Sequence, residues 1–382
     1  MPEDAKKPSR PLRKSYLWIL LGSLAVLSVV KIVSMIDCST PVPPLTDVEL
    51  VTMRPLVETH NGFAGSDSCR ECHQDNHQSW YASWHRTMTQ EARLENILGD
   101  FSVTNLSFPD TGKTFSLFER DGRAWFRPDY SLDQLSRRTT GREEYPIVMM
   151  TGSHHQQVYW YPIGNDRTLA VVPILHLREA NRWIPRKASF LRPPSSEYET
   201  EAGRWNSVCL GCHSTGPLPY NESRPKFDTK VAELGISCES CHGQGLNHVQ
   251  IHRNPESPTA KTLVDPIVNP AKLDHRLSSQ ICGACHSINT VHKDHRNRLY
   301  HDPGQELDKY STLALPPRET MEPIMKENPD EYPRREDLSP DYDEHFWWDG
   351  MVRVSGREYN GLVQSACHTK GEMSCQSCHS MH

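Results

Sequence analysis

The sequence predicts a chain that packs around covalently bound groups rather than around one large sheet or bundle, with a small antiparallel β insertion and one membrane-spanning helix at the amino terminus. Three observations predict it. Only 36% of the 382 residues are apolar and 29 are proline, so a core of side chains alone is thin for a chain of this length. Five times the chain spells Cys-x-x-Cys-His, where chance placement gives about 0.02 such pentapeptides. Residues 16 to 36 are almost wholly apolar, with one charge at Lys31.

From the amino terminus, residues 1–15 form a short tail carrying Lys6, Lys7, Arg10, Arg13 and Lys14, a basic cluster that holds it in the cytoplasm. Residues 16–36 follow as a transmembrane signal anchor, spanning about 31 Å at about 1.5 Å per residue. A cleaved signal peptide with Tyr16 to Val30 as its apolar core is the alternative, but no A-x-A-like site follows it. This reading places a single-pass protein in the cytoplasmic membrane with everything beyond residue 36 exported to the periplasmic side.

Residues 37–66 hold Pro41, Pro43, Pro44 and Pro55 and read as an extended stalk. The domain beyond it, 67–382, opens with the first motif and a helix-forming run, QDNHQSWYASWHRTMTQEARLENIL. Between His73 and Cys209 no motif occurs, and about 100–175 alternates as strands do. TFSLFERDGRAWFRP reads as a hairpin turning at Asp121-Gly122, and QQVYWYPIGNDRTLAVVP as one turning at Gly164-Asn165. Three motifs then fall within 209–286, a spacing that favours closely packed groups. Residues 302–343 hold seven prolines among many charges and read as an irregular surface excursion, and a last motif closes the chain.

Cys-x-x-Cys-His is the attachment site of haem c, in which both thiols add to porphyrin vinyl groups and the imidazole takes the iron from one face. The thioether positions are Cys69 and Cys72, Cys209 and Cys212, Cys238 and Cys241, Cys282 and Cys285, and Cys375 and Cys378. The proximal iron ligands are His73, His213, His242, His286 and His379. Zinc is the rival for paired cysteines, but a zinc ribbon has no need of a histidine directly after the second cysteine in all five pairs. Cys38 and Cys367 are left over. Gln364-Ser-Ala-Cys367-His368 looks like a motif lacking its first cysteine, so a sixth haem is the lesser alternative to a count of five.

Fifteen further histidines are available as second ligands. His382 lies three residues after His379 and cannot pass around its own porphyrin, so as a ligand it serves a neighbouring haem. His248 follows His242 through a Gly243-x-Gly245 turn and lies near a haem in the same way. His154 and His155 precede a strand in which neighbouring side chains alternate, so at most one of them faces the haems. His85, His154, His155, His248 and His382 are the candidate distal ligands, with His275 and His345 in reserve.

CRECHQDNHQSWYASWHRTM at 69–88, WNSVCLGCHSTG at 205–216, ISCESCHGQGLNH at 236–248 and MSCQSCHSMH at 373–382, with GSHHQQVYWYP and RWIPRKASFLRPP between them, resemble the multihaem cytochromes grouped with the tetrahaem cytochrome c-554 of ammonia oxidation. More distantly they resemble the pentahaem nitrite reductases and octahaem hydroxylamine oxidoreductases. The match looks closest to a membrane-anchored branch and covers most of 67–382. It implies a mainly α fold with long loops, ordered by stacked haems, with second ligands drawn from elsewhere in the chain; by position His85, His248 and His382 match histidines that play that part. All five motifs here end in histidine, whereas the nitrite reductases hold their catalytic haem through Cys-x-x-Cys-Lys, which counts against that enzyme.

The formal charge of −6 and the lack of any basic stripe set nucleic acid aside as a partner. The leading function is electron transfer through five haems on the outer face of the cytoplasmic membrane, with a membrane quinol oxidase or another redox protein as partner. Doubly histidine-ligated haems offer substrate no site, which suits a carrier. Whether the chain is an enzyme is left open. The alternative is an oxidoreductase of a small nitrogen or sulfur compound, which needs one open-faced haem near proton-moving groups. Arg182, Arg186, Lys187 and Arg192 suit such a pocket or, more simply, pair with haem propionates. A docking subunit that holds haems for a larger enzyme is the third class.

Overall fold

The computed structural model describes residues 46–129, 144–164, 166–190, 202–219, 227–296, 298–315, 345–347 and 350–382. All of them belong to one unit, Thr46–His382. The tail and anchor at 1–36, the first part of the stalk and most of the proline-rich excursion lie outside the described residues.

The described helices are α1 (Asp47–Thr52), α2 (Ser66–Arg70), α3 (Gln74–Tyr81), α4 (Leu210–His213), α5 (Cys238–His242), α6 (Leu246–Arg253), α7 (His275–Gly283), α8 (Tyr359–Leu362) and α9 (Ala366–Thr369). The longest has nine residues. The strands run β1 (Leu56–Val57), β2 (Thr89–Glu91), β3 (Leu106–Phe108), β4 (Lys113–Arg120), β5 (Arg123–Pro128), β6 (Tyr145–Pro146), β7 (Met149–Thr151), β8 (Gln156–Pro162), β9 (Leu169–Leu177) and β10 (Arg182–Pro185). Short strands follow at β11 (Ser214–Thr215), β12 (Lys230–Val231), β13 (Glu233–Leu234), β14 (Asn289–Val291) and β15 (Ser311–Leu313).

The expectation of a mainly α fold is therefore corrected. The helices are one or two turns long, because a haem-attachment motif needs only one turn and the segments between motifs are broken by Gly, Pro and Asn. The β part is the larger regular structure. One sheet has the order β3-β4-β5-β6 and a second the order β10-β9-β8-β7-β2. All pairs within these two sheets are antiparallel. The expectation of a single-pass membrane protein is corrected with it: no described helix is long and apolar enough to cross a membrane. Residues 16–36, on which that expectation rested, are not among the residues searched.

Both expected hairpins are present. β4 and β5 pair from Phe115↔Pro128 to Arg120↔Arg123, and the turn takes Asp121 and Gly122 at φ of 53° and 70°, the doubly left-handed form that matches strand twist. β8 and β9 pair as far as Pro162↔Leu169 around Gly164 at φ 71°.

β8 and β9 are buried on both faces, which explains their unbroken apolar runs. Tyr159, Tyr161, Ala170, Val172 and Ile174 point to the four-stranded sheet and pack with Phe115, Leu117, Phe126 and Tyr145. Trp160, Leu169 and Val171 point the other way and pack with Trp205, Leu210, Val231 and Leu299. That second face seats the second Cys-x-x-Cys-His motif, so the sheet is the wall on which the motif-bearing region is mounted. β1 pairs in parallel with β12 and carries residues 56–57 of the expected stalk into the same unit.

Candidate functional site

Cysteines at i and i+3 and a histidine at i+4 share one face of a single helical turn, which is why this spacing suits attachment to one planar group. The backbone closes that turn at three motifs: His73 N–H donates to Cys69 O at 2.9 Å, His286 to Cys282 at 2.8 Å and His379 to Cys375 at 3.0 Å. The second and third motifs lie on α4 with the residues just before it, and on α5. None of the ten motif cysteines is in a disulfide.

The motifs converge. The thiol of Cys69 lies beside that of Cys238, Cys212 beside Cys285, and Cys282 beside Cys375, so the first and third, second and fourth, and fourth and fifth motifs adjoin. Cys241 lies near enough to Cys282 and Cys285 to raise both. The spatial order is thus first, third, fourth, with the second and fifth both against the fourth. A cavity lies between the flanks of the second, third and fourth motifs, lined by Gly211, Ser240, Gln244, Cys285, Tyr300 and Tyr310.

Glu239, inside the third motif, holds the first motif to it. It is buried and accepts from Ala64 N–H at 2.8 Å, Gly65 N–H at 2.9 Å and Gly245 N–H at 2.7 Å. Burial pushes its carboxyl up, and those three donors pull it partly back. Glu233 adds a bond from Ser66 N–H at 3.0 Å.

Three proximal histidines each face a second histidine. The rings of His73 and His248 are 6.4 Å apart, centre to centre, and inclined by 25°. His242 and His382 are 6.0 Å apart at 24°, and His286 and His85 are 6.2 Å apart at 89°. A metal–nitrogen bond of about 2.0–2.1 Å on each side, plus about 1.1 Å from nitrogen to ring centre, puts two imidazoles sharing one metal about 6.2–6.4 Å apart. The observed separations fit an iron between each pair. In every case the second histidine comes from the flank of a different motif.

Hydrogen bonds to Nδ1 leave Nε2 as the nitrogen available to a metal. His242 Nδ1 lies 2.7 Å from Val268 O, and His248 Nδ1 lies 2.9 Å from Asp265 Oδ2. His286 Nδ1 is 3.6 Å from Glu358 Oε2, an ion-pair distance, and this pairing holds the Glu358 carboxyl down at about 2. Burial lowers His85 and His242 and takes His213 to about 4, keeping these imidazoles neutral, the form that binds metal.

Not every candidate is placed this way. His154 and His155 are exposed and lie against each other at 3.9 Å, with His154 stacked on Trp84; neither faces a proximal histidine at iron spacing. They lie in the turn between β7 and β8, which passes through Gly152 at φ 90°. All twenty histidines are among the described residues, and none stands at that spacing from His213 or His379. His275 and His368 are 4.9 Å apart and edge-on, too close to share a metal, with His368 Nδ1 2.8 Å from Met373 O. β10 carries Arg182, while Arg192 and Cys38 lie outside the described residues.

The site fits haem c. The paired thiols and the imidazole spacings suit it, and the buried Trp205 indole N–H, left without a partner, is a donor that a haem propionate would satisfy. Sequence reasoning missed Glu239, Asp265 and Glu358. Glu239 had a signal, a carboxylate between two motif cysteines, but the other two lie far in sequence from the histidines they meet.

Residues 176–243 match the profile of the family described as cytochrome c554 and c-prime. Among solved structures, the outer cell wall cytochrome OcwA is similar, with a TM-score of 0.47 and 18% identity over 84% of this chain and 56% of that one. The chain thus spans little more than half the length of that protein. None of the curated proteins matches it.

Proposed function

We propose that the chain is a multihaem cytochrome of c type, a wire of five covalently bound haems that passes single electrons between redox proteins. The observation that carries this is the facing of His73 with His248, His242 with His382 and His286 with His85 at 6.0–6.4 Å. Haem supplies the iron that changes oxidation state. The chain would supply two imidazoles to each of three irons, a ligation that leaves substrate no site and changes little on reduction.

The motif order in space gives the path. Electrons enter or leave along the first, third and fourth motifs, and the second and fifth flank the fourth. Its partners are redox proteins that dock and exchange electrons, rather than diffusing substrates.

One observation favours a second reading. His213 and His379 face no other histidine, so their haems are the place for chemistry on a small nitrogen or sulfur compound, and Arg357 lies beside His213. Carbon monoxide added to the fully reduced holoprotein, counted against a haem number from intact mass, separates the two. The wire requires five haems, of which the three with paired histidines stay silent to the gas. Binding at any of those three contradicts it. Turnover of nitrite or hydroxylamine that needs His213 or His379 favours the second reading.

A further inference from the structure

The chain from 264 to 268 touches two of the paired histidines at once. Asp265 Oδ2 accepts from His248 Nδ1 at 2.9 Å, and Val268 O accepts from His242 Nδ1 at 2.7 Å. The loop is fixed where it does this. Val268 N–H donates back to His242 O at 2.9 Å, and Ile267 N–H donates to Asp265 Oδ1 at 3.1 Å. His252, one turn beyond His248 on α6, reaches the same Oδ2 at 3.3 Å.

One strap therefore holds the outer nitrogen of a ring facing His73 and of the proximal ring of the neighbouring third motif. The two acceptors differ in charge. A carboxylate draws the Nδ1 proton more strongly than a carbonyl does, leaves the imidazole a stronger donor to the metal and so favours the ferric state. His248, His252 and Asp265 together are also close enough to hold a divalent cation. The stacking of His248 on His73 at 6.4 Å assigns its free nitrogen to haem instead.

We propose that the 264–268 strap sets a potential step between adjacent haems, with Asp265 as a positioning residue that makes the first-motif haem harder to reduce than the third-motif haem. This rests on the paired-histidine ligation proposed above. Electrons delivered to the first motif then run downhill to the third, which gives this end of the wire a direction.

The test is a potentiometric titration of the intact holoprotein followed by electron paramagnetic resonance. In the wild type, the low-spin signal that is lost in His248→Ala titrates below the one lost in His382→Ala. In Asp265→Asn the reduced-to-oxidised ratio of the first of these rises about tenfold at a fixed potential, a shift of about 59 mV for one electron. The other haems keep their potentials, and Asp265→Glu restores the wild-type value. Equal potentials for the two haems in the wild type overturn the proposal, as does an Asp265→Asn protein with all low-spin signals kept and no shift. His248→Ala that converts no haem to high spin overturns the ligation reading itself.

Discussion

The two packed sheets bury a continuous cluster of fourteen apolar residues. The motif-bearing helices bury little that is apolar: α2 buries only Ser66, α5 only Glu239, α4 only Leu210, and α7 Ile281 beside Ser278, Ser279 and Gly283. The sheets have what a domain needs to fold by side-chain burial alone. The motif region instead brings together cysteines, histidines and a buried carboxylate, and on the wire reading its apolar filling would be porphyrin. The difference teaches that one chain uses two kinds of core, and that the wall between them, β8 and β9, has to be apolar on both sides.

The strongest way to break this comparison is to withhold a haem. Replacing Cys238 and Cys241 together by alanine removes attachment at the third motif. Hydrogen exchange then shows protection lost across residues 62–82 and 236–268 while β4, β5, β8 and β9 keep theirs. Equal loss in both regions, or in neither, ends the distinction.

A cut into the other core comes next. Phe126 is fully buried against Tyr145 and Tyr161. Phe126→Ala costs about 3–5 kcal/mol in denaturant unfolding of the sheets, with the haem absorption spectrum unchanged. A spectral change of the same size would mean the two cores are one.

Glu239→Gln tests the polar link between the first and third motifs. The amide keeps one acceptor but turns an NH₂ toward backbone donors, leaving at least one buried N–H without a partner. Unfolding monitored by haem absorption moves by about 1–3 kcal/mol, while tryptophan-monitored unfolding of the sheets stays as it was.

The smallest effect is a pH one, because the Glu358 side chain is largely exposed and solvent screens its pairing. Glu358 titrates at about 2 when folded, against an ordinary value of 4.5, because His286 pairs with it. The unfolded chain binds this proton first, so the contribution is complete above about pH 4.5 and is lost as pH falls toward 2. Glu358→Gln flattens this acid limb in a pH titration of stability, and an unchanged limb would assign the acid sensitivity elsewhere.

Local features were legible in the sequence. The motifs, the hairpin at Asp121-Gly122 and the facing of His248 and His382 toward motif histidines other than their nearest all follow from spacing, turn chemistry and chain geometry. The balance of helix and sheet did not follow, because it was inferred from resemblance, and the β part was sized by two hairpins. Its outer strands β2, β6 and β10, with β7 beside β2, have two to four residues each and carry little alternation of their own. They exist because longer neighbours give them a template, β8 for β7, β9 for β10 and β5 for β6. His154 and His155 illustrate the same limit: alternation along a strand does not apply to the turn that precedes it. Asp265 and Glu358 were out of reach because each meets its histidine through tertiary contact, 17 and 72 residues away in sequence.

The central claim is that three of the irons are each held by two histidines from different motif flanks. Electron paramagnetic resonance of the oxidised holoprotein, compared with His85→Ala, His248→Ala and His382→Ala, tests it most directly. The account predicts that each variant keeps its haem count and converts one different low-spin haem to high spin. The signal lost in His85→Ala is the one with crossed rings, set apart in shape from the two near-parallel pairs. Variants that leave all low-spin signals in place, or that all remove the same one, would contradict it.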